Sequence, residues 1–100
     1  MKSLGSLLSN FLHSIASNEE ITLIFLNELW PEIVGKDLAL KSRPLALRDK
    51  KLILAVPSEI WKKELLALRR MLISAINEYW KLRLVEKIDL QIRLIDDSED

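Results

Sequence analysis

The side chains able to do chemistry in this chain are few, and most of them are cations. His13 is the single histidine and there is no cysteine. Thiolate nucleophiles, thiolate zinc sites, iron–sulfur clusters and disulfides are therefore excluded, and the lack of thiols fits a reducing compartment. A catalytic His13 would need a nucleophile or carboxylate partner, and no HExxH or other paired arrangement surrounds it. It reads as a partly exposed helix residue. Two glycines, Gly5 and Gly35, are too few for a glycine-rich phosphate loop. The run Asp96-Asp97-Ser98-Glu99-Asp100 lacks the spacing and the turn glycine of a calcium loop. The residues predict no catalytic group, no metal and no cofactor, and hence a protein that binds and does not catalyse.

The cations are unevenly spread. Fifteen basic and fifteen acidic groups cancel over the whole chain. Residues 1–40 nevertheless carry two basic and five acidic groups, residues 41–93 thirteen and six, and residues 94–100 four acidic groups alone. A basic middle suits a polyanion or an acidic partner, and the acidic run could screen it in cis; an ordinary solvated surface is the plainer reading. Within that middle, Lys41, Arg43, Arg48, Lys50 and Lys51 surround an expected hairpin, and Lys62, Lys63, Arg69 and Arg70 lie on an expected helix. These nine are the candidate nucleic-acid contacts. Arg69 and Arg70 stand out because no acid follows three or four residues later, whereas Lys63 can pair with Glu59 one turn back. Phosphate contacts of this kind give salt-sensitive binding that is largely independent of base sequence. Of the tryptophans, Trp30 and Trp61 read as core residues on helical faces. Trp80, near the end of a helix, is the candidate anchor for a protein partner.

The elements that must hold these groups follow from periodicity. Leu4, Leu8, Phe11 and Ile15 repeat at helical spacing and predict an amphipathic helix over 3–15. Ser17-Asn18-Glu19-Glu20 resembles a capping box, with Ser17 as cap and Glu20 returning to it. The helix it opens should run to about residue 34, bent or broken near Pro31, with Gly35 ending it. A short helical piece is expected over 36–41. Residues 44–48 and 52–56 read as two strands joined by a turn at Asp49-Lys50-Lys51; with no glycine there, a loop longer than two residues is expected. Ser58 should cap one long helix reaching residue 80 or so, with Trp61, Leu65, Leu68, Leu72, Ala75 or Ile76, and Tyr79 along one stripe and Leu66, Ile73 and Trp80 along a second beside it. Ile88, Leu90, Ile92 and Leu94 alternate with Asp89, Gln91 and Arg93, which is a strand with one dry face.

The order α-α-β-β-α-β predicts a two-layer α+β domain, a small three-stranded sheet covered by helices. One hundred residues suffice for one modest core, burying roughly 60–65% of the unfolded surface. The expected division is an N-terminal amphipathic helix over 1–17, the α+β domain over 18–95 and an acidic, disordered end over 96–100. No apolar run approaches the ~20 residues of a membrane span, and the interrupted N-terminus is a poor signal peptide. A soluble, cytoplasmic protein is expected.

From Trp30 to Asn77 the blocks Trp30-Pro31-Glu32-Ile33-Val34-Gly35, Leu38-Ala39, Lys41-Ser42-Arg43-Pro44-Leu45, Lys51-Leu52-Ile53-Leu54-Ala55-Val56, Ser58-Glu59-Ile60-Trp61-Lys62-Lys63-Glu64-Leu65 and Leu72 with Ile76-Asn77 succeed one another in an order that closely resembles the DciA-like family of bacterial proteins. The resemblance covers about residues 20–94. It implies a KH-like fold, binding to single- or double-stranded DNA and to the replicative helicase, and a part in helicase loading during replication initiation without an ATPase of its own. Three positions depart from the usual relative: Lys50 stands where glycine is common, Lys41 where histidine is common, and an acidic run where relatives often carry a basic extension. The GxxG clamp of a true KH module is also absent.

Three functional classes follow. A helicase-associated adaptor that touches DNA predicts binding to a helicase ring. A stand-alone nucleic-acid module predicts DNA or RNA binding without the helicase. A structural, self-associating protein predicts an apolar surface patch and no basic face.

Overall fold

Two helices precede the sheet. The computed structural model describes residues 4–94, and in it α1 (Leu4–Ile15) and α2 (Glu19–Val34) are joined by a short turn. The acidic run 96–100 lies outside the described residues. The cap of α2 is Asn18 and not Ser17. Asn18 sits in extended backbone, and its Oδ1 accepts the Ile21 amide at 3.0 Å, which is as good a first-turn cap as serine offers. Glu20 makes no return bond among the described residues; its neighbour Glu19 reaches across the molecule instead, as shown below. Pro31 is absorbed within α2, which continues to Val34. Gly35, at φ 94°, then turns the chain where a side chain would be strained, and α3 (Lys36–Leu40) follows.

The sheet is built from β1 (Arg43–Arg48), β2 (Lys51–Val56) and β3 (Lys87–Ile92) in that spatial order. β1 and β2 are antiparallel, whereas β2 and β3 are parallel. A bulge between Pro44 and Ala46 shifts the register of β1. Leu47, Leu52 and Ile88 lie side by side, as do Leu54 and Leu90, and all five are buried. This dry face packs against Leu12 of α1 and against Leu26, Trp30 and Ile33 of α2, together with the helices that follow β2.

The loop of the hairpin is two residues long, not longer. Arg48 pairs with Lys51, leaving only Asp49 and Lys50 between them at φ 48° and 64°. Both residues take the left-handed conformation of a type I′ turn, which glycine adopts without steric cost. Neighbouring groups hold the turn in place. The Asp49 amide donates to Glu19 Oε2 at 2.7 Å, and the Lys50 carbonyl accepts the amides of Glu86 and Lys87 at 2.7 and 3.2 Å. Lys50→Gly is expected to relieve the second position. After loss of a half-exposed 3.8 Å pair with Glu86, the net gain is about 0.5 kcal/mol, or roughly 2–4 °C in Tm. A thermal melt that moved down would show that Lys50 is not strained.

The long helix expected after Ser58 is two helices. Ser58 does cap it, accepting the Trp61 amide at 3.3 Å. α4 (Glu59–Ala67) then ends and α5 (Arg69–Trp80) begins across Leu68, whose φ/ψ of −100° and 7° leaves the helical region. No glycine or proline marks this break. Its cause is tertiary: α4 packs on β2 and β3, whereas α5 also lies against α1 and α2, and one straight cylinder could not serve both surfaces. Leu65 of α4 and Leu72, Ile76 and Trp80 of α5 are all wholly buried. The loop from α5 to β3 is organised by Asn77. Its Oδ1 accepts the amides of Leu84 and Val85, each at 2.9 Å, and its Nδ2 donates to the Val85 carbonyl at 2.9 Å.

Candidate nucleic-acid interface

Most of the blocks that carried the family resemblance hold the fold together. The Trp30 indole N–H donates to Ser42 Oγ at 2.9 Å, and that hydroxyl donates to the Leu38 carbonyl at 2.6 Å. Both side chains are buried, so this chain ties α2, α3 and the start of β1 into one unit. Asn77 orders a loop, Ser58 caps a helix and Gly35 turns the chain. What remains for a ligand is the charged surface.

That surface has two parts, at opposite ends of the sheet. The wet face of the sheet repeats the register of the dry one, and across its first rung Arg48, Lys51 and Lys87 stand in a row. Arg48, Lys50, Lys51 and Lys87, with Asp49 and Glu86, line an open depression of about 470 Å³. Lys87 also lines the next depression, of about 370 Å³, together with Arg69, Arg70, Glu86 and Asp89. The hairpin turn, the start of β3 and the start of α5 thus form one continuous surface with six cations and three carboxylates. Lys51 pairs with Asp89 at 3.4 Å and Lys50 with Glu86 at 3.8 Å, with all four side chains well exposed to solvent. Such pairs are weak and exchange readily with solvent ions or phosphates. One Arg69 amine donates to the Leu66 carbonyl at 2.9 Å, which fixes the arm and leaves the charge in place. Arg48, Arg70 and Lys87 form no ion pair among the described residues.

Sequence reasoning missed Lys87. The dry-and-wet alternation of β3 was legible, but a parallel pairing that lays Lys87 beside Lys51 was not. Without that lysine the hairpin cations and the Arg69-Arg70 pair look like separate groups.

The second part lies where β1 begins and α4 starts. Lys41 Nζ stands 6.0 Å from the centre of the half-buried Trp61 ring, within reach of a cation–π attraction. Lys62 and Lys63 follow on α4, and Arg43 opens β1 on the wet face opposite Ala55. Lys63 makes no ion pair with Glu59. The nine sequence-predicted cations therefore divide, with Arg48, Lys50, Lys51, Arg69 and Arg70 at one end and Lys41, Arg43, Lys62 and Lys63 at the other.

Trp80 needs correction. It is 0% exposed, deep in the core between α5, α1 and the sheet, and cannot serve as an exposed anchor. Its Nε1 is buried without a hydrogen-bond partner. Tyr79, at the end of its stripe, is half-buried against the core, and its hydroxyl reaches the surface, where it donates to Glu32 Oε1 at 3.2 Å. Burial, and then the Glu32 carboxylate, push this phenol above its ordinary pKa. Exposed apolar groups include Leu7, Leu8 and Phe11 on α1, Ile21 and Ile24 on α2, and Ile60, Leu66 and Met71 on α4 and α5. Phe11 meets Phe25 edge-on at 5.2 Å. His13 does no chemistry in this arrangement; its Nε2–H donates to the Lys81 carbonyl at 2.9 Å, closing the end of α5 onto α1.

Residues 3–90 match the family model described as Dna[CI] antecedent, DciA. The chain belongs to the DciA family. The match extends the resemblance drawn over 20–94 back through α1, whose Leu12 is part of the common core. None of the curated proteins matches the chain. No helix among the described residues of this DciA-family protein is long and apolar enough to cross a membrane.

Proposed function

We propose that this DciA-family protein is a non-catalytic adaptor that binds the replicative DNA helicase and DNA and assists loading of the helicase. Family membership over residues 3–90 supports the helicase-related role. The continuous surface of Arg48, Lys50, Lys51, Lys87, Arg69 and Arg70 is the observation that supports DNA contact. Cations on a rigid sheet and a helix start hold fixed spacing against a phosphate backbone, and they read charge, not base identity. Among the described residues only the half-buried Trp61 offers a ring beside a cation, so stacking of successive bases contributes little and the backbone contacts dominate. With Trp80 buried, protein contact falls to the exposed apolar side chains of α1 and α2, carried by a segment whose net charge is negative. Separate surfaces for protein and nucleic acid suit a molecule that must touch both at once.

Size-exclusion chromatography with the intact hexameric helicase of the same organism, with and without single-stranded DNA, tests the adaptor reading. Co-elution supports it. Separate elution in both conditions, with DNA or RNA still bound by the isolated protein, would replace it with a stand-alone nucleic-acid module.

A further inference from the structure

The sheet has two edges, and they are finished differently. On β1, Pro44 has no amide to offer, its carbonyl accepts Asn27 Nδ2 at 3.2 Å, and a bulge follows. An edge blunted in this way is a poor template for another strand. β3 has no proline and no bulge. Lys87 and Arg93 both point their amides at β2, donating to the carbonyls of Lys50 and Val56 at 3.2 and 2.8 Å. Backbone groups alternate in direction along a strand, so those of Ile88, Leu90 and Ile92 point outward, and Leu94 continues the series. Among the described residues no hydrogen bond reaches these outward groups. The dry row of side chains also runs out into solvent: Ile88 and Leu90 are buried, but Ile92 is 43% and Leu94 98% exposed. On the wet face Asp89, Gln91 and Arg93 stand in line, with Arg93 Nη2 donating to Gln91 Oε1 at 3.0 Å.

We propose that the open edge of β3 pairs antiparallel with β3 of a second copy of this chain, joining two three-stranded sheets into one. The strand's own residues select this occupant and its register. Outward groups must oppose outward groups, so the copies can slip only in steps of two residues. With Asp89 on the two-fold axis, two carboxylates face each other. With Leu90 there, Lys87 faces Arg93, again like against like. With Ile92 there, Gln91 faces Arg93 and no opposite charges meet. An axis at Ile88 sets Lys87 against Asp89, but the next rung needs an outward amide at Glu86, and that amide is already bonded to Lys50. With Gln91 on the axis, Asp89 faces Arg93 of the second copy, and symmetry makes the same pair twice. Leu90 then bonds with Ile92, and Ile88 with Leu94, on both sides of the axis. The exposed Ile92 and Leu94 gain apolar neighbours from the second copy. Both wet faces look the same way, which sets the two Arg48–Lys51–Lys87 rows on one surface, ~26 Å apart along the strands. A nucleic-acid strand that spans both rows binds with added avidity. That consequence rests on the DNA contact proposed above; the dimer does not.

The test is sedimentation velocity of the full chain from about 5 to 500 μM, since one strand edge is a small interface of the transient class. The expected result is a sedimenting mass that climbs from monomer toward dimer. Asp89→Arg sets arginine against Arg93, and Arg93→Asp sets aspartate against Asp89. Both positions are exposed, so each monomer should keep its circular dichroism and its melting behaviour. Either change alone should raise the dimer dissociation constant about tenfold or more. The double variant restores opposite charges and should recover the parental association. An equimolar mixture of the two single variants should also associate, because each then supplies the charge that the other lacks. A monomer at every concentration would overturn the proposal and leave this edge to a strand of another protein. Dimers indifferent to both single changes would overturn it too, as would a double variant that stayed monomeric. Dimers that follow the charge swaps yet bind no fluorescent oligothymidylate would uphold the pairing and sink only the nucleic-acid reading.

Discussion

Replacing Trp80 with alanine is expected to cost about 3–5 kcal/mol, the usual penalty for emptying a buried aromatic site. A domain of this size has only ~5–15 kcal/mol to lose, so the variant should populate unfolded chain at growth temperature. Urea denaturation followed by far-UV circular dichroism would report the loss as a lower midpoint at unchanged slope. The Nε1 of Trp80 has no partner, which adds a discriminating step. Trp80→Phe keeps most of the ring volume and removes an unpaired buried donor, itself worth about 1–3 kcal/mol. The phenylalanine variant should therefore recover a large part of the lost stability. An anchor for a protein partner would behave differently: the free protein would stay stable, and affinity for the partner would fall in both variants. Full stability of Trp80→Ala would mean that the side chain is not part of the core.

Trp80 also shows what the sequence made legible. Its place on an apolar stripe was visible, but being near the end of a helix was mistaken for being near the surface. Lys81 at φ 58° ends α5, and His13 and Asn77 then fold α1 and the β3 loop over that end. Those two contacts, one long-range and one dependent on a loop, cover the last turn. The divided helix has the same origin. Leu65, Leu68, Leu72 and Ile76 satisfy one continuous period, and only the need to pack on two different surfaces breaks it at Leu68. Some local signals succeeded, although the cap of α2 fell on Asn18 one residue after Ser17 and Pro31 was absorbed within the helix. Ser58 caps its helix, Gly35 turns the chain, and the wet and dry faces of β3 fall where the alternation placed them.

The turn at Asp49-Lys50 lies between these cases. Its residues argue against a two-residue loop, and the tertiary structure enforces one through Glu19 on one side and the amides of Glu86 and Lys87 on the other. Backbone strain at a non-glycine residue persists only where its surroundings over-determine it, and it gathers at functional positions. Here it carries an extra cation to the rim of the charged depression. The family resemblance puts glycine at this position in many relatives. The lysine thus exchanges a little stability for charge on the surface that the fold leaves open.

The other large effect is expected on nucleic-acid affinity. Arg48, Lys51, Lys87 and Arg70 are exposed, and three of them stand on one rung of the sheet. A variant with all four changed to alanine should fold normally, with the loss of the Lys51–Asp89 pair costing under about 1 kcal/mol. Its affinity for single-stranded DNA should fall about a hundredfold or more near 100 mM salt, at roughly 1 kcal/mol or slightly less for each lost phosphate contact. The salt dependence is the stronger signature. Each phosphate contact on a single strand contributes about 0.7 to the slope of log affinity against log salt, so four lost contacts should flatten that slope by roughly 3. Lys81→Ala serves as the control, because Lys81 is paired with Glu78 at 3.2 Å at the far end of α5 and should change neither quantity. Lys87→Ala alone is the most informative single change. It lies between the two depressions, so if the surface is continuous its loss should lower affinity at least as much as loss of Arg70. An unchanged slope in the fourfold variant would move the DNA contact away from this end of the sheet, leaving the cations at the start of α4 to account for any binding that remained.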